Sequence, residues 1–452
     1  MIMKSEKTEK IFTETVKTIR IGAPVVAAQL IQMSMGFVDA VMAGNLNATA
    51  LAAVAVAGSL LGPVFLLGMG ILMAINPIIA HHHGADEREL IGKTLWQGLW
   101  LSQIIAVPVM LMLQNMVEVM KLFGIKPEII PITQGYLDAF SYGVPAAFAY
   151  FALRFFNEGL AITKPSMYFA TIGLLINIPG NYVFMYGRFG FPEMGAVGVG
   201  WATTLVHWIM LVGMALFTFR KSCDREFKIH NNISFPKWSL SKGILRVGFP
   251  NGVSICIEVT MFAMVALIMG SLGIKIVAAH QVTINFAAFT FMMPLGLSIA
   301  TTARVGFAMG QKNLYNAKLF GYIGIFLSVI VMSCTAILMI SVPEWIAAIY
   351  TNDAEVRQIA VKLLLLAGIF QISDGLQVGA FGALRGLKDT KVPMMVNIIA
   401  YWIIGFPACY ILGIVLQYGA QGLWTGLIFG LTVAAILHNV RFYRLTHVKQ
   451  SH

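Results

Sequence analysis

Long apolar runs broken by short polar segments set the pattern of this chain. Twelve runs, at about 19–44, 51–80, 93–116, 133–158, 166–187, 195–219, 244–270, 277–304, 317–342, 358–383, 393–416 and 420–443, stand out. At ~1.5 Å of rise per residue, each is long enough to cross a hydrocarbon layer of ~30 Å as a helix or close to it. Within three of these runs polar residues recur at helical steps. Gln29, Gln32, Gly36 and Asp39 share a face of the first, Asn251, Ser254, Glu258 and Met261 a face of the seventh, and Gln371, Asp374 and Gln377 a face of the tenth. Such stripes must point at protein or water, because lipid tails offer no hydrogen-bonding partner. For any single Gln, interhelical amide hydrogen bonding is the better reading.

Glu258 is the sharpest conflict with its surroundings. It follows Arg246 by twelve residues in the run RVGFPNGVSICIEVTMFAMVALIMG, which places it ~18 Å along the helix. An ionised acid near the bilayer centre costs about 2.5–3.5 kcal/mol on insertion scales, so it calls for a water-filled cavity, a bound cation or a proton.

The runs also repeat. A shift of 226 residues aligns Arg20, Gly22 and Pro24 with Arg246, Gly248 and Pro250, Gly44 with Gly270, Gly70 with Gly296, and Gly84 with Gly310. Farther along, EGLAITKPSM at 158 answers RGLKDTKVPM at 385, and GAVG at 195 answers GAQG at 419. The expected fold is therefore an all-α membrane protein with twelve transmembrane helices in two six-helix pseudo-symmetric lobes of the same orientation. The lobes are expected at 1–220 and 244–452, with a cytoplasmic linker at 221–243 and a substrate cavity where they meet. Under the repeat Glu258 answers Gln32, Asp39 answers Val265 and Asp374 answers Ala147. Each acid is thus specific to one lobe, which favours a task in transport over a role in the shared scaffold. An acid that only pins helix packing is the alternative.

Asn177 and Asn181 lie one turn apart around Pro179, and Thr203 and His207 repeat that spacing in the next run. With Asp39 they could supply oxygen to a hard cation, while capping of a proline kink explains the asparagines equally well.

Composition agrees with the pattern. The 452 residues are 58% hydrophobic and 11% charged, with mean hydropathy +0.79, and no soluble domain is visible. The net charge of +11 comes from basic residues in short loops, a topology signal and not a nucleic-acid surface. Of the 31 Lys and Arg, 25 fall on the side of the termini; the other side holds only Lys121, Lys126, Arg188, Lys275, Arg357 and Lys362. Both termini are therefore expected in the cytoplasm of an inner-membrane, multi-pass, monomeric protein whose surroundings are lipid. The polar amino terminus has no small-residue cleavage site and is expected to stay in the mature chain. Cys223, Cys256, Cys334 and Cys409 show no ligand spacing. Adjacent helical residues diverge by about 100°, so His81, His82 and His83 are expected in a cytoplasmic loop at a helix end and not in a metal centre. Arg154, Glu158, Arg304 and Arg385 lie at run ends, where snorkelling to water is expected. Pairs such as Gly58/Gly62, Gly375/Gly379 and Gly426/Gly430 suggest close helix contacts.

The motifs GFVDAVMAG at 36, AAHQVTINFAAFTFMMPLGLSIATTARVG at 278, SDG at 373, and the paired EGLAITKPSM and ALRGLKDTKVPM segments resemble those of the multidrug and toxic compound extrusion (MATE) transporters, in their NorM-like branch. The resemblance covers essentially the whole chain. It implies a cation-coupled antiporter that exports organic cations and drugs, not an enzyme, with Glu258 and Asp374 as the second-lobe cation site and Asp39, Asn177, Asn181 and Thr203 as the first. It also places Gln32, Ser59, Gln281, Asp353 and Asp39 among drug-contacting positions. Phe291 falls where some relatives carry a tyrosine facing the cation, which leaves a cation–π role but no hydroxyl ligand.

The resemblance does not separate sodium from a proton as coupling ion, and no other cofactor is implied. Glu258, Asp374, Ser254, Gln371 and carbonyls freed near Pro250 offer enough oxygen for sodium, which favours that ion. Other two-lobe transporters remain the nearest alternatives. The major facilitator superfamily usually carries a GxxxDRxGRR-like loop where this chain has HHHGADERELIGK, and lipid-linked flippases usually have more spans. An intramembrane enzyme finds no support, since there is no GxSxG or HExxH.

Overall fold

The computed structural model describes residues 2–220, 227, 229 and 234–447, so most of the expected linker, including Cys223, lies outside the described residues. No strand occurs among them. Eleven helices are long and apolar enough to cross a membrane: Thr8–Leu46, Ala48–Gly84, Arg88–Leu113, Lys164–Tyr186, Ala196–Thr218, Trp238–Leu272, Ile274–Gly310, Leu314–Ser341, Ala354–Gly386, Lys391–Val415 and Gly419–His447. The fourth expected span is present as two shorter helices, Ile130–Ser141 and Val144–Gly159, and completes the twelve.

Pro145, which cannot donate a backbone hydrogen bond, accounts for that break. Carbonyls near it find donors on the sixth span: the Thr204 hydroxyl donates to Ala139 at 2.7 Å and the Trp208 indole to Tyr142 at 3.2 Å. The eleventh span carries a different irregularity, π-helical turns at Ile398–Gly405 and Ile411–Val415 on either side of Pro407. A widened turn of this kind re-aims the side chains within it, Tyr401 among them.

Contacts gather the chain into two compact units, residues 27–252 and residues 1–26 with 253–452. This division differs from the lobes read off the repeat, because residues 1–26 and 244–252 are exchanged. Both boundaries, after Val26 and after Gly252, are equivalent under the 226-residue shift and fall two residues beyond Pro24 and Pro250. Glycines permit the exchange. A Cβ on Gly248 would lie 2.2 Å from the Ile71 carbonyl oxygen, and one on Gly22 would lie 2.9 Å from a Leu297 methyl. Of the paired glycines, Gly375/Gly379 and Gly426/Gly430 do meet neighbouring helices closely, whereas nothing lies within 4 Å of a Cβ at Gly58 or Gly62.

The arginines at run ends do not snorkel. Arg154, Arg304 and Arg385 and the acid Glu158 are all buried. Arg304 bonds the Glu14 carboxylate and the Thr18 hydroxyl, and its guanidinium lies 3.9 Å from the Phe320 ring centroid. Arg385 donates to Thr302 at 3.1 Å and lies over Phe381. Charges at this depth are held by protein partners rather than by water.

Candidate functional site

In the unit formed by residues 27–252, three spans converge on Asp39. The first brings the carboxylate, 8% exposed, and the fifth brings Asn177 and Asn181, which are fully enclosed. Their amide nitrogens donate to the same oxygen, Asp39 Oδ1, at 3.0 and 2.7 Å. The one-turn spacing across Pro179 makes this convergence possible, since residues four apart share a helix face. From the sixth span Thr203 also reaches Asp39, while its hydroxyl is within 2.9 Å of the Val199 carbonyl. Asn181 Oδ1 is buried with no hydrogen-bond partner. The two amides thus present their nitrogens to the carboxylate, and Asn177 Oδ1 accepts from Asn181 Nδ2 at 3.4 Å, so the asparagine oxygens would have to turn towards Asp39 before they could join it around a hard cation. Beyond Asp39 lies an aromatic wall. Tyr136 stacks on Phe140 at 6.2 Å, and Phe65 contacts Phe140, Phe148, Phe151 and His207 with centroids 5.2–6.4 Å apart. No helical stripe of polar residues marks these aromatics in the sequence.

In the other unit, Glu258 of the seventh span and Asp374 of the tenth lie within electrostatic reach of each other and of Tyr401. Asp374 is buried and Glu258 half-buried. Several oxygens here have no hydrogen-bond partner among the described residues: Asp374 Oδ1, Gln371 Oε1, Gln377 Oε1 and the Tyr401 hydroxyl. Gln371 and Gln377 lie one turn to either side of Asp374 on one helix face, so these side chains could offer oxygen to a partner such as a proton, a water or a cation. Gln371 donates to Thr290 at 2.5 Å through its nitrogen, which leaves its oxygen free for that partner. Ser254 is buried on the same face as Glu258. Asn251, one step earlier in the stripe, instead donates to the Gly70 carbonyl at 2.7 Å and belongs to the packing of the other unit. Tyr401 was not singled out from sequence because a lone tyrosine in an apolar run carries no periodic signal.

The remaining candidates are dispersed. Gln32 accepts a 2.7 Å hydrogen bond from Arg154. Ser59 is exposed on the second span and bonds its own helix at Ala55. On the eighth span Gln281 is exposed and Phe291 half-buried; ten residues of helix separate them by ~15 Å along the axis. Asp353 caps the tenth span, accepting from Glu355 and Val356 N–H groups at 2.9 and 3.1 Å. Those backbone donors, Val356 first, hold its carboxyl below the usual carboxylate range.

Comparison with known proteins bears on the fold and the family. The sequence model of the MatE family matches twice, over residues 24–183 and 250–411. The second match begins 226 residues after the first, the same offset as the internal repeat. Multidrug resistance protein NorM of Aliivibrio fischeri is 40% identical over 432 residues, covering 95% of this chain and 94% of that protein. Multidrug resistance protein MdtK of Photorhabdus laumondii is 40% identical over 434 residues, covering 95% of each. Among solved structures, a multidrug resistance MATE family transporter of the MOP superfamily in an outward-facing conformation shares the fold with a TM-score of 0.89 at 21% identity, covering 97% of both chains. The eukaryotic MATE transporter AtDTX14 does so with a TM-score of 0.86 at 19% identity, covering 97% of this chain and 99% of that one. With a tandem family match over most of its length and relatives this similar from end to end, the chain belongs to the MatE family, the multidrug and toxic compound extrusion transporters, which are not enzymes.

Proposed function

We propose that this chain is an inner-membrane multidrug antiporter that exports organic cations while a monovalent cation moves inward, with sodium as that cation. The cluster of unpaired oxygens around Glu258 and Asp374 carries the reading. A proton would satisfy a carboxylate without amide and phenol oxygens gathered around it, whereas sodium needs several oxygen ligands at once. The carboxylates hold the coupling ion in one conformation and release it in the other, so ion and drug bias a single alternating-access equilibrium in opposite directions. Asp39 with Asn177, Asn181 and Thr203 forms a second cation-attracting site, and Gln32, Ser59, Gln281, Phe291 and Asp353 supply drug contacts. The 25 to 6 distribution of Lys and Arg supports cytoplasmic termini for a monomer embedded in lipid.

In proteoliposomes clamped at one pH, a sodium gradient alone should drive exchange of a fluorescent organic cation. Exchange that follows a pH gradient and ignores sodium would assign the coupling ion to the proton.

Asp39→Asn tests the second site. The side chain keeps its size and can still bond the two asparagines, but the charge is gone, so its Coulombic attraction for cations is lost. Transport of cationic drugs should fall several-fold more than transport of neutral ones. Equal losses would reduce Asp39 to a packing role.

A further inference from the structure

We infer that His81, His82 and Glu87 form a binding site for one divalent transition-metal ion of the zinc class. The two histidines close the helix Ile75–Gly84, and Glu87 immediately precedes the helix that begins at Arg88. A helical wheel separates adjacent side chains, but the chain does not stay helical. Asp86 takes a left-handed conformation at φ 54°, and the Glu87 N–H donates to the His82 carbonyl at 2.9 Å, turning Glu87 back against the last turn. One ligand atom from each of the three residues then lies within 4.8 Å of the others, and His82 Nδ1 is 2.6 Å from Glu87 Oε2. Tetrahedral ligands at ~2.0–2.1 Å from a metal are about 3.3 Å apart, so small side-chain rotations close the set.

The internal repeat supplies a control for the meaning of this corner. In the other half Lys312 adopts the same left-handed turn at φ 57°, and the Asn313 N–H donates to the Ala308 carbonyl at 2.9 Å. The backbone is thus built identically, yet the equivalent side chains are Phe307, Ala308 and Asn313. Asn313 caps its helix by accepting from the Asn316 N–H at 2.9 Å. Glu87, at the same N-cap position, makes no side-chain cap and turns to His82 instead. The same turn therefore forms in the other half without imidazoles or a carboxylate at these positions. Asp86 is engaged by Arg88 at 2.9 Å and stands outside the set.

Two imidazoles and one carboxylate suit zinc, cobalt(II) or nickel(II) better than sodium, magnesium or calcium, which prefer oxygen alone, and they leave a fourth position for water. Binding through His82 Nδ1 requires that nitrogen to be unprotonated, which the Nε2–H tautomer of the neutral imidazole provides. The bound ion would tie the end of the second span to the start of the third.

The test titrates cobalt(II) and zinc into the purified full-length protein, with any affinity tag removed. One equivalent of cobalt(II) should bind with visible d–d absorption, displaced by zinc. Losing even an outer-shell partner lowers metal affinity ~10–100-fold, so His81→Ala, His82→Ala and Glu87→Gln should each weaken binding by about tenfold or more. His83, which packs edge-on against Phe227 at 5.8 Å, lies outside the set, and His83→Ala should bind as the native protein does. At one zinc concentration the melting temperature should rise as much in His83→Ala as in the native protein and less in the other three variants. Equal affinity in native protein and Glu87→Gln, or a loss in His83→Ala as large as that in His82→Ala, would overturn the assignment.

Discussion

Cells expressing Glu258→Gln should clear ethidium no faster than cells carrying an empty vector, with the protein at normal abundance in the membrane. Glutamine matches glutamate in size and keeps a hydrogen-bonding oxygen, so a residue that only packed against Asp374 and Tyr401 would tolerate the change. On the proposed mechanism, by contrast, removing the charge removes the group that would hold a cation in one conformation and give it up in the other. A ligand shifts an equilibrium only by the difference in its affinity for the two states. Without that difference the ion gradient no longer drives export. Asp374→Asn should fail in the same way, and the double variant should be no worse than either, because two groups sharing one ion act as a unit. Tyr401→Phe, which deletes a hydroxyl with no hydrogen-bond partner among the described residues, should cost only a part of the activity. Wild-type efflux by Glu258→Gln would exclude the carboxylate from coupling.

Those acids were legible in the sequence because a carboxylate inside an apolar run contradicts its surroundings, and the contradiction needs no partner to be noticed. Asp39, Asn177, Asn181 and Thr203 were legible through helical spacing, and the structure brings all four together. Tyr401 was hidden, since its position depends on π-helical turns that no local pattern announces. Apolar runs placed the twelve spans and the repeat divided them into lobes, whereas the packing units group residues 1–26 and 244–252 differently, because similarity between halves records ancestry of the sequence and not which neighbours a helix packs against. A helical wheel separates His81 from His82 and takes no account of the turn that carries Glu87 back towards them. Arg154 was misplaced for a related reason. Position near the end of an apolar run fixes distance along one helix, while burial depends on what surrounds that end.

The depth of Arg154 leads to the second large effect, a loss of about 3–5 kcal/mol of stability in Arg154→Leu, the range found when one partner of a buried ion pair is removed. Its Nε donates to Glu158 Oε1 at 2.7 Å, and its two terminal nitrogens donate to Gln32 and Gln29, each also at 2.7 Å. Ser166 donates to the same glutamate oxygen at 3.0 Å, so five residues from the first, fourth and fifth spans share one guanidinium and one carboxylate. Both members of the pair are almost wholly enclosed. Leucine fills part of the space but leaves Glu158 as an unpaired buried charge and two glutamine oxygens without donors. Lysine should not rescue the site, because a single ammonium cannot present three donors in the plane that the guanidinium provides. The decisive comparison is the double variant Arg154→Leu/Glu158→Gln. If the penalty arises mainly from the stranded carboxylate, neutralising it should return much of the loss, and the double variant should melt in detergent at a higher temperature than Arg154→Leu alone. A double variant as unstable as the sum of its singles would mean instead that Arg154 contributes through packing and the glutamines, with the ion pair adding little.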